Sequence, residues 1–149
     1  MTEVLFYHLT ESSLEDTLPG LLERSLERGW TAVVQTGSEE RRDALDAHLW
    51  TYRDDSFLAH GSEREARPED QPVFLTTGGA NPNGAEIRFL VDGAEPDNLS
   101  AYRRAVFLFD GHDTGQLEGA RRHWSALKAA GHAVTYWQQA AGGRWERKA

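Results

Sequence analysis

The apolar positions of this chain keep two rhythms. Short runs of adjacent or alternating branched and aromatic residues occur at EVLFYHL (3–9), WTAVVQT (30–36), PVFLTT (72–77), AEIRFLV (85–91), RAVFLFD (104–110) and HAVTYWQQ (132–139). Each reads as a β-strand. Between some of them the rhythm slows to the three- and four-residue spacing of a helix. In SSLEDTLPGLLERSLERG (12–29), Leu14, Leu18, Leu21, Leu22 and Leu26 follow that spacing. Ser13 is the expected cap and Gly29 the expected stop, while Pro19 demands a helix that starts near it or bends at it. SEERRDALDAHLW (38–50), capped by Ser38, is a second helix, and residues 114–130 are a third. A short helix is expected near Asp97–Arg103. The stretch 51–71 reads as irregular, polar apart from Tyr52, Phe57 and Leu58. GGANPNG (78–84) reads as a turn or flexible loop and residues 140–149 as a short basic tail.

The centre of 30–36 is apolar without alternation, as a strand covered on both faces requires. Strands alternating with helices imply a largely parallel sheet with helices on its faces. The expected fold is therefore a three-layer α/β/α arrangement, Rossmann-like, and 149 residues suit a single domain over 1–149. No run has the length of a membrane span, no basic, apolar start marks a signal peptide, and there is no cysteine to form a disulfide or thiolate metal site. The expected location is cytoplasmic.

Charge changes the picture. The formal net charge is −8, which argues against a surface built to read duplex DNA. Yet residues 118–149 carry six cations against two carboxylates, a net +4, leaving −12 for residues 1–117. Such asymmetry marks either an interaction surface or a solvated terminal face. The third helix concentrates it. At about 100° per residue, Leu117, Arg121, Trp124 and Lys128 fall within a stripe about 60° wide, while Ala120, His123, Leu127 and Ala130 gather on the side suited to packing. An indole flanked by cations fits a ligand both apolar and anionic, such as a peptide's terminal carboxylate. The alternative is that Trp124 packs under residues 142–147 with the cations merely solvated.

Catalytic devices are hard to find. Neither G-x-x-x-x-G-K-[ST] nor G-x-G-x-x-G occurs, G-x-S-x-G is absent, and no two of the six histidines have metal-pair spacing. DGHD (110–113) is the best acid–base candidate, with His112 between two carboxylates at a strand end. A polar turn with Asp113 capping the next helix explains it as well. The residues thus favour a binding module over an enzyme; the alternative is a nucleotide-dependent α/β enzyme with a site near His112.

LFYHL (5–9), RGWTAVV (28–34), SEERRDALDAHLWTYRDDSFLAHG (38–61), PVFLTT (72–77) and LKAAGHAVTYWQ (127–138) together resemble the chi subunit of bacterial DNA polymerase III. The resemblance implies a non-catalytic accessory subunit of the clamp-loader assembly, without a cofactor. It implies two partners: the psi subunit, or a helicase competing for the same surface, and the acidic C-terminal tail of single-stranded DNA-binding protein. By position it assigns Arg121, Trp124 and Lys128 to the tail, a set the helical stripe extends to Leu117, and Trp50 and Phe57 to psi or the helicase. Leu117 and Ser125 depart from the family pattern, which has lysines there. Neither direct sequence-specific nucleic-acid binding nor a membrane is implied.

Overall fold

A computed structural model describes residues 2–51, 60–62 and 67–149. Among them the elements run β1 (Glu3–Leu9), α1 (Leu14–Glu27), β2 (Ala32–Gln35), α2 (Glu39–Thr51), β3 (Gly61–Ser62), β4 (Val73–Thr76), β5 (Ile87–Leu90), β6 (Arg104–Asp110), α3 (Thr114–Ala129), β7 (Ala133–Gln139) and β8 (Trp145–Arg147). The strands form one sheet in the order β3-β4-β2-β5-β6-β1-β7-β8, parallel throughout except for β8. The fold is the expected α/β arrangement with a largely parallel sheet.

Side-chain alternation explains the layers. Leu5 and Leu9 of β1 join Val34, Leu75, Phe89, Val106 and Leu108 on one face, where Leu18 and Leu22 of α1 and Leu45 and Leu49 of α2 cover them. Val4 and Phe6 point the other way, with Val33, Phe74, Leu90 and Phe107, beneath Ala120 of α3 and residues 94–102. Phe6 pairs in register with Phe107, and the two rings stack at 4.6 Å and 3°. Each fully buried Leu or Phe of these layers contributes about 1.5–3 kcal/mol of transfer free energy.

The helix ends follow the sequence. Ser13 Oγ accepts the Asp16 amide at 3.1 Å, Ser38 Oγ accepts that of Arg41 at 3.2 Å, and Gly29 ends α1 at φ +81°. Pro19 sits inside α1 and leaves the Glu15 carbonyl without its helical donor. His48 Nε2, from α2, meets that carbonyl at 2.7 Å, so the proline's missing bond becomes a link between two helices.

Three expectations are corrected. Residues 97–103 are not helical: Leu99 and Tyr102 are buried as irregular chain, and the Thr2 hydroxyl reaches their carbonyls at 2.8 and 3.0 Å. Residues 140–149 are not a simple tail, because glycines 142 and 143 turn at φ +88° and +83° and return the chain as β8, antiparallel to β7. The 51–71 stretch includes, in its described part, the two-residue β3 and a 3-10 turn over Pro68–Asp70.

The 78–84 loop is tied to the sheet by a buried arginine. Arg88 Nε and Nη2 donate to Gln35 Oε1 at 3.1 and 2.8 Å, and Nη1 donates to the Ala80 carbonyl and the Tyr102 hydroxyl at 3.0 and 2.9 Å. Nη2 also donates to the Gly78 carbonyl. All five donors of the guanidinium are thereby used, as a buried charge requires.

Candidate functional site

The crossover from β6 through α3 to β7 lays α3 beside the strand edge where β1 and β7 meet. Trp124 reaches in from α3 and stands edge-on to Phe6 of β1 at 5.7 Å and to Tyr136 of β7 at 5.9 Å. Tyr136 is held in turn by His8, whose Nδ1 shares a 2.7 Å hydrogen bond with its hydroxyl. Arg121, Trp124, Ser125, Tyr136 and Ala149 line a shallow, largely apolar cavity of about 430 Å³.

The cations around it differ in what they are free to do. Arg122 gives Nη2 to Glu95 at 2.9 Å, and His123 Nε2 lies 2.7 Å from the same carboxylate. That contact with His123, ahead of Arg122's charge, holds the Glu95 carboxyl below its ordinary range. Lys128 Nζ sits 5.7 Å from the Trp124 ring centre, a cation–π contact. Arg121 is exposed and forms no ion pair among the described residues. Its charge nonetheless reaches the wall of the cavity. Burial pushes the Tyr136 hydroxyl up, and Arg121 works against that shift. Burial, then His112 and Arg121, lowers His8, with Asp110 opposing.

The structure thus brings Arg121, Trp124 and Lys128 to one patch. Leu117 packs on the buried Phe6–Phe107 layer and does not line the cavity. Of the side assigned to packing, Ala120 is buried, His123 and Leu127 are half-buried, and Ala130 is exposed at the helix end, a further correction. Trp124 does not lie beneath residues 142–147. The aromatic of that segment, Trp145, lies against Tyr7 with ring centres 4.7 Å apart and planes tilted by 30°, and belongs to the layer on the opposite face of the sheet. Tyr136 is the wall that the helical wheel could not show. The signal for it was the strand alternation of Val134 and Tyr136, which puts both on the α3 face.

Trp50, at the end of α2, is 52% exposed, the most exposed large apolar side chain among the described residues. Its ring lies 4.4 Å from that of the buried His60. Phe57, its expected companion, lies outside the described residues.

The carboxyl ends of β1 and β6 flank a second cavity of about 420 Å³, lined by residues 9–15, Arg41, Asp92, Leu108, Asp110, His112 and Gln116. Here the chain turns from crossing over one face to crossing over the other, the usual ligand position in such sheets. Its phosphate cradle is already filled. The amides of Thr10, Glu11 and Ser12 all donate to Gln139 Oε1, at 3.1, 3.0 and 3.1 Å. DGHD is a capping turn: Asp110 Oδ1 accepts the His112 amide at 2.8 Å, and Asp113 Oδ1 accepts the Gln116 amide at 3.0 Å. The His112 ring meets the Thr10 carbonyl at 3.1 Å. Among the described residues no cluster of three His, Asp or Glu could hold a metal, and no helix is long and apolar enough to cross a membrane.

Comparison with known proteins agrees with the resemblance read from the residues. A relative from Rickettsia prowazekii (strain Madrid E), described as "Probable DNA polymerase III subunit chi", is 22% identical over 117 residues, covering 74% of this chain and 71% of the relative. The profile of the family described as "DNA polymerase III chi subunit, HolC" matches residues 1–135, which include every element from β1 to α3, so this chain belongs to the DNA polymerase III chi subunit family.

Proposed function

We propose that the chain is a non-catalytic accessory subunit that links the clamp-loader assembly of DNA polymerase III to single-stranded DNA-binding protein, by binding that protein's acidic C-terminal tail at α3. The observation that carries this reading is the pairing of an apolar cavity with a guanidinium that has no ion-pair partner among the described residues. Trp124 and Tyr136 offer aromatic walls to an apolar end residue, and Arg121 stands on the rim to grip its carboxylate. Lys128 and the net +4 of residues 118–149 draw an acidic peptide to this side, while the −12 of the remainder repels it elsewhere. Leu117 supports the helix from below, and the absence of lysines at 117 and 125 keeps affinity no better than micromolar, about −8 kcal/mol.

Titration of a fluorescent tail peptide tests the site. Binding should weaken strongly in Arg121→Ala and Trp124→Ala and fall, without vanishing, as salt rises. Equal binding by wild type and Arg121→Ala would remove the site from α3.

Trp50 and Phe57 form the second surface in this reading, bound by psi or by a competing helicase. Exposure of Trp50 in the last turn of α2 supports it. Truncating Phe57 should weaken capture of that partner and leave the melting temperature nearly unchanged. The nucleotide-enzyme alternative loses ground to Gln139, whose carboxamide occupies the amides a phosphate would need. A thermal shift with ATP, GTP or NAD would restore it.

A further inference from the structure

The face of the sheet opposite α3 holds a different cluster of cations. Arg24 lies in the last turn of α1, Arg28 caps that helix four residues on, and Arg104 begins β6. Together with Tyr7, Leu21, Ser25, Ile87, Phe89 and Val106 they line a cleft of about 70 Å³. Its floor is apolar and buried. We propose that Arg24, Arg28, Arg104 and the Tyr7 hydroxyl form a binding site for a single phosphate monoester group.

Four observations converge on this. First, Arg24 and Arg28 have no carboxylate partner among the described residues, and Arg104 commits only Nε, to Glu3 at 2.6 Å. Second, the guanidiniums are held in place: those of Arg28 and Arg104 lie 5.3 and 5.4 Å from the centre of the Trp30 ring. Third, the Tyr7 hydroxyl has no hydrogen-bond partner among the described residues, so it is a free donor at the cleft. Fourth, burial raises the Tyr7 hydroxyl, keeping its proton on, and the charges that reach it are Arg104, Arg24, Glu3 and Arg28: three cations against one carboxylate already paired.

The chemistry selects the ligand. A carboxylate brings one charge against three guanidiniums. A tetrahedral dianion has an oxygen for each arginine and lone pairs to spare for the hydroxyl. The small volume and the negative charge of the whole chain favour one isolated phosphate group over a polyphosphate strand.

The test uses the full chain and inorganic phosphate, followed by phosphorus NMR line broadening at constant ionic strength. The wild type should broaden the signal in a saturable way. Arg24→Ala/Arg28→Ala, at exposed positions of the last turn and cap of α1, should keep the melting temperature and bind at least tenfold more weakly. Tyr7→Phe should keep the fold and lose about threefold. No saturable broadening by wild type, or equal broadening by the double variant, overturns the site. A thymidine oligonucleotide without terminal phosphate should fail to displace phosphate; displacement would overturn the proposal in favour of a nucleic-acid backbone surface. One bearing a 5′-phosphate should compete.

Discussion

Two tryptophans in this molecule carry cations, and they are used in opposite ways. Trp30 is flanked by Arg28 and Arg104, and the cleft beside it is small. There the aromatic ring is consumed in holding guanidiniums still, and the cations are what remains to offer. Trp124 meets one lysine, leans edge-on against Phe6 and Tyr136, and borders a cavity six times larger. There the aromatic walls are on offer, and one arginine waits beside them. The same residue types thus make a charge-selective cleft or an amphipathic dock, depending on which surface of the ring is left uncovered.

The largest effect expected from breaking this contrast is at the dock. Arg121→Ala should lose about 2 kcal/mol of tail-peptide affinity, roughly thirtyfold, if its guanidinium holds a carboxylate in a half-dry site. A peptide titration at two salt concentrations reads this directly. Phosphate broadening at the Arg24 cleft should not change.

Next is the support behind Tyr136. A side chain on Gly111 would collide with the His8 ring and the Leu9 carbonyl. Gly111→Ala should therefore lower stability by about 1–3 kcal/mol, the usual range for overpacking. It should also weaken peptide binding by displacing the His8–Tyr136 pair. Denaturant unfolding beside the peptide titration separates the two losses. Unchanged stability would show that the turn has room.

At the other cluster, Trp30→Leu should remove about 0.5–1 kcal/mol of cation–π energy per contact. It should weaken phosphate binding, because the two arginines lose their common support, and leave tail-peptide affinity intact. A loss of peptide affinity would mean the two clusters are not independent.

The smallest effect is with pH. Burial lowers His8 below its ordinary 6.5. Between that lowered value and 6.5 the unfolded chain binds a proton that the folded chain refuses, so stability rises with pH across this window and is lost as pH falls through it. Thermal melts of wild type and His8→Gln from pH 7 to 5 should converge at the acid end. Parallel curves would assign the dependence elsewhere.

Much of this architecture was legible because repetition made it so. β1, β6 and β7 are seven-residue strands whose two faces meet different layers, and α1 carries its leucines at helical spacing with both ends capped. What was illegible has local causes. β8 is three residues long at a sheet edge and owes its place to pairing with β7, so no apolar run announces it. Residues 97–103 bury Leu99 and Tyr102 at a spacing that suits a helix, but Thr2 takes their carbonyls from 97 or more residues away. At the dock, Arg121, Trp124 and Lys128 could be placed from α3 alone. Tyr136 could not, because its partnership with Trp124 exists only once β7 lies alongside β1.

The carboxamide of Gln139 carries a consequence for the order in which the chain can be finished. The amides it satisfies belong to the turn immediately after the first strand, 127 to 129 residues earlier. During synthesis from the amino end, that turn emerges early and must wait, its donors turned to water, until the last parallel strand has left the ribosome. Contacts of such sequence separation close late and slow the search. The turn that opens the fold is thus among the last parts to set, and a nascent chain stopped before residue 139 would expose it as a loose end for quality-control machinery to find.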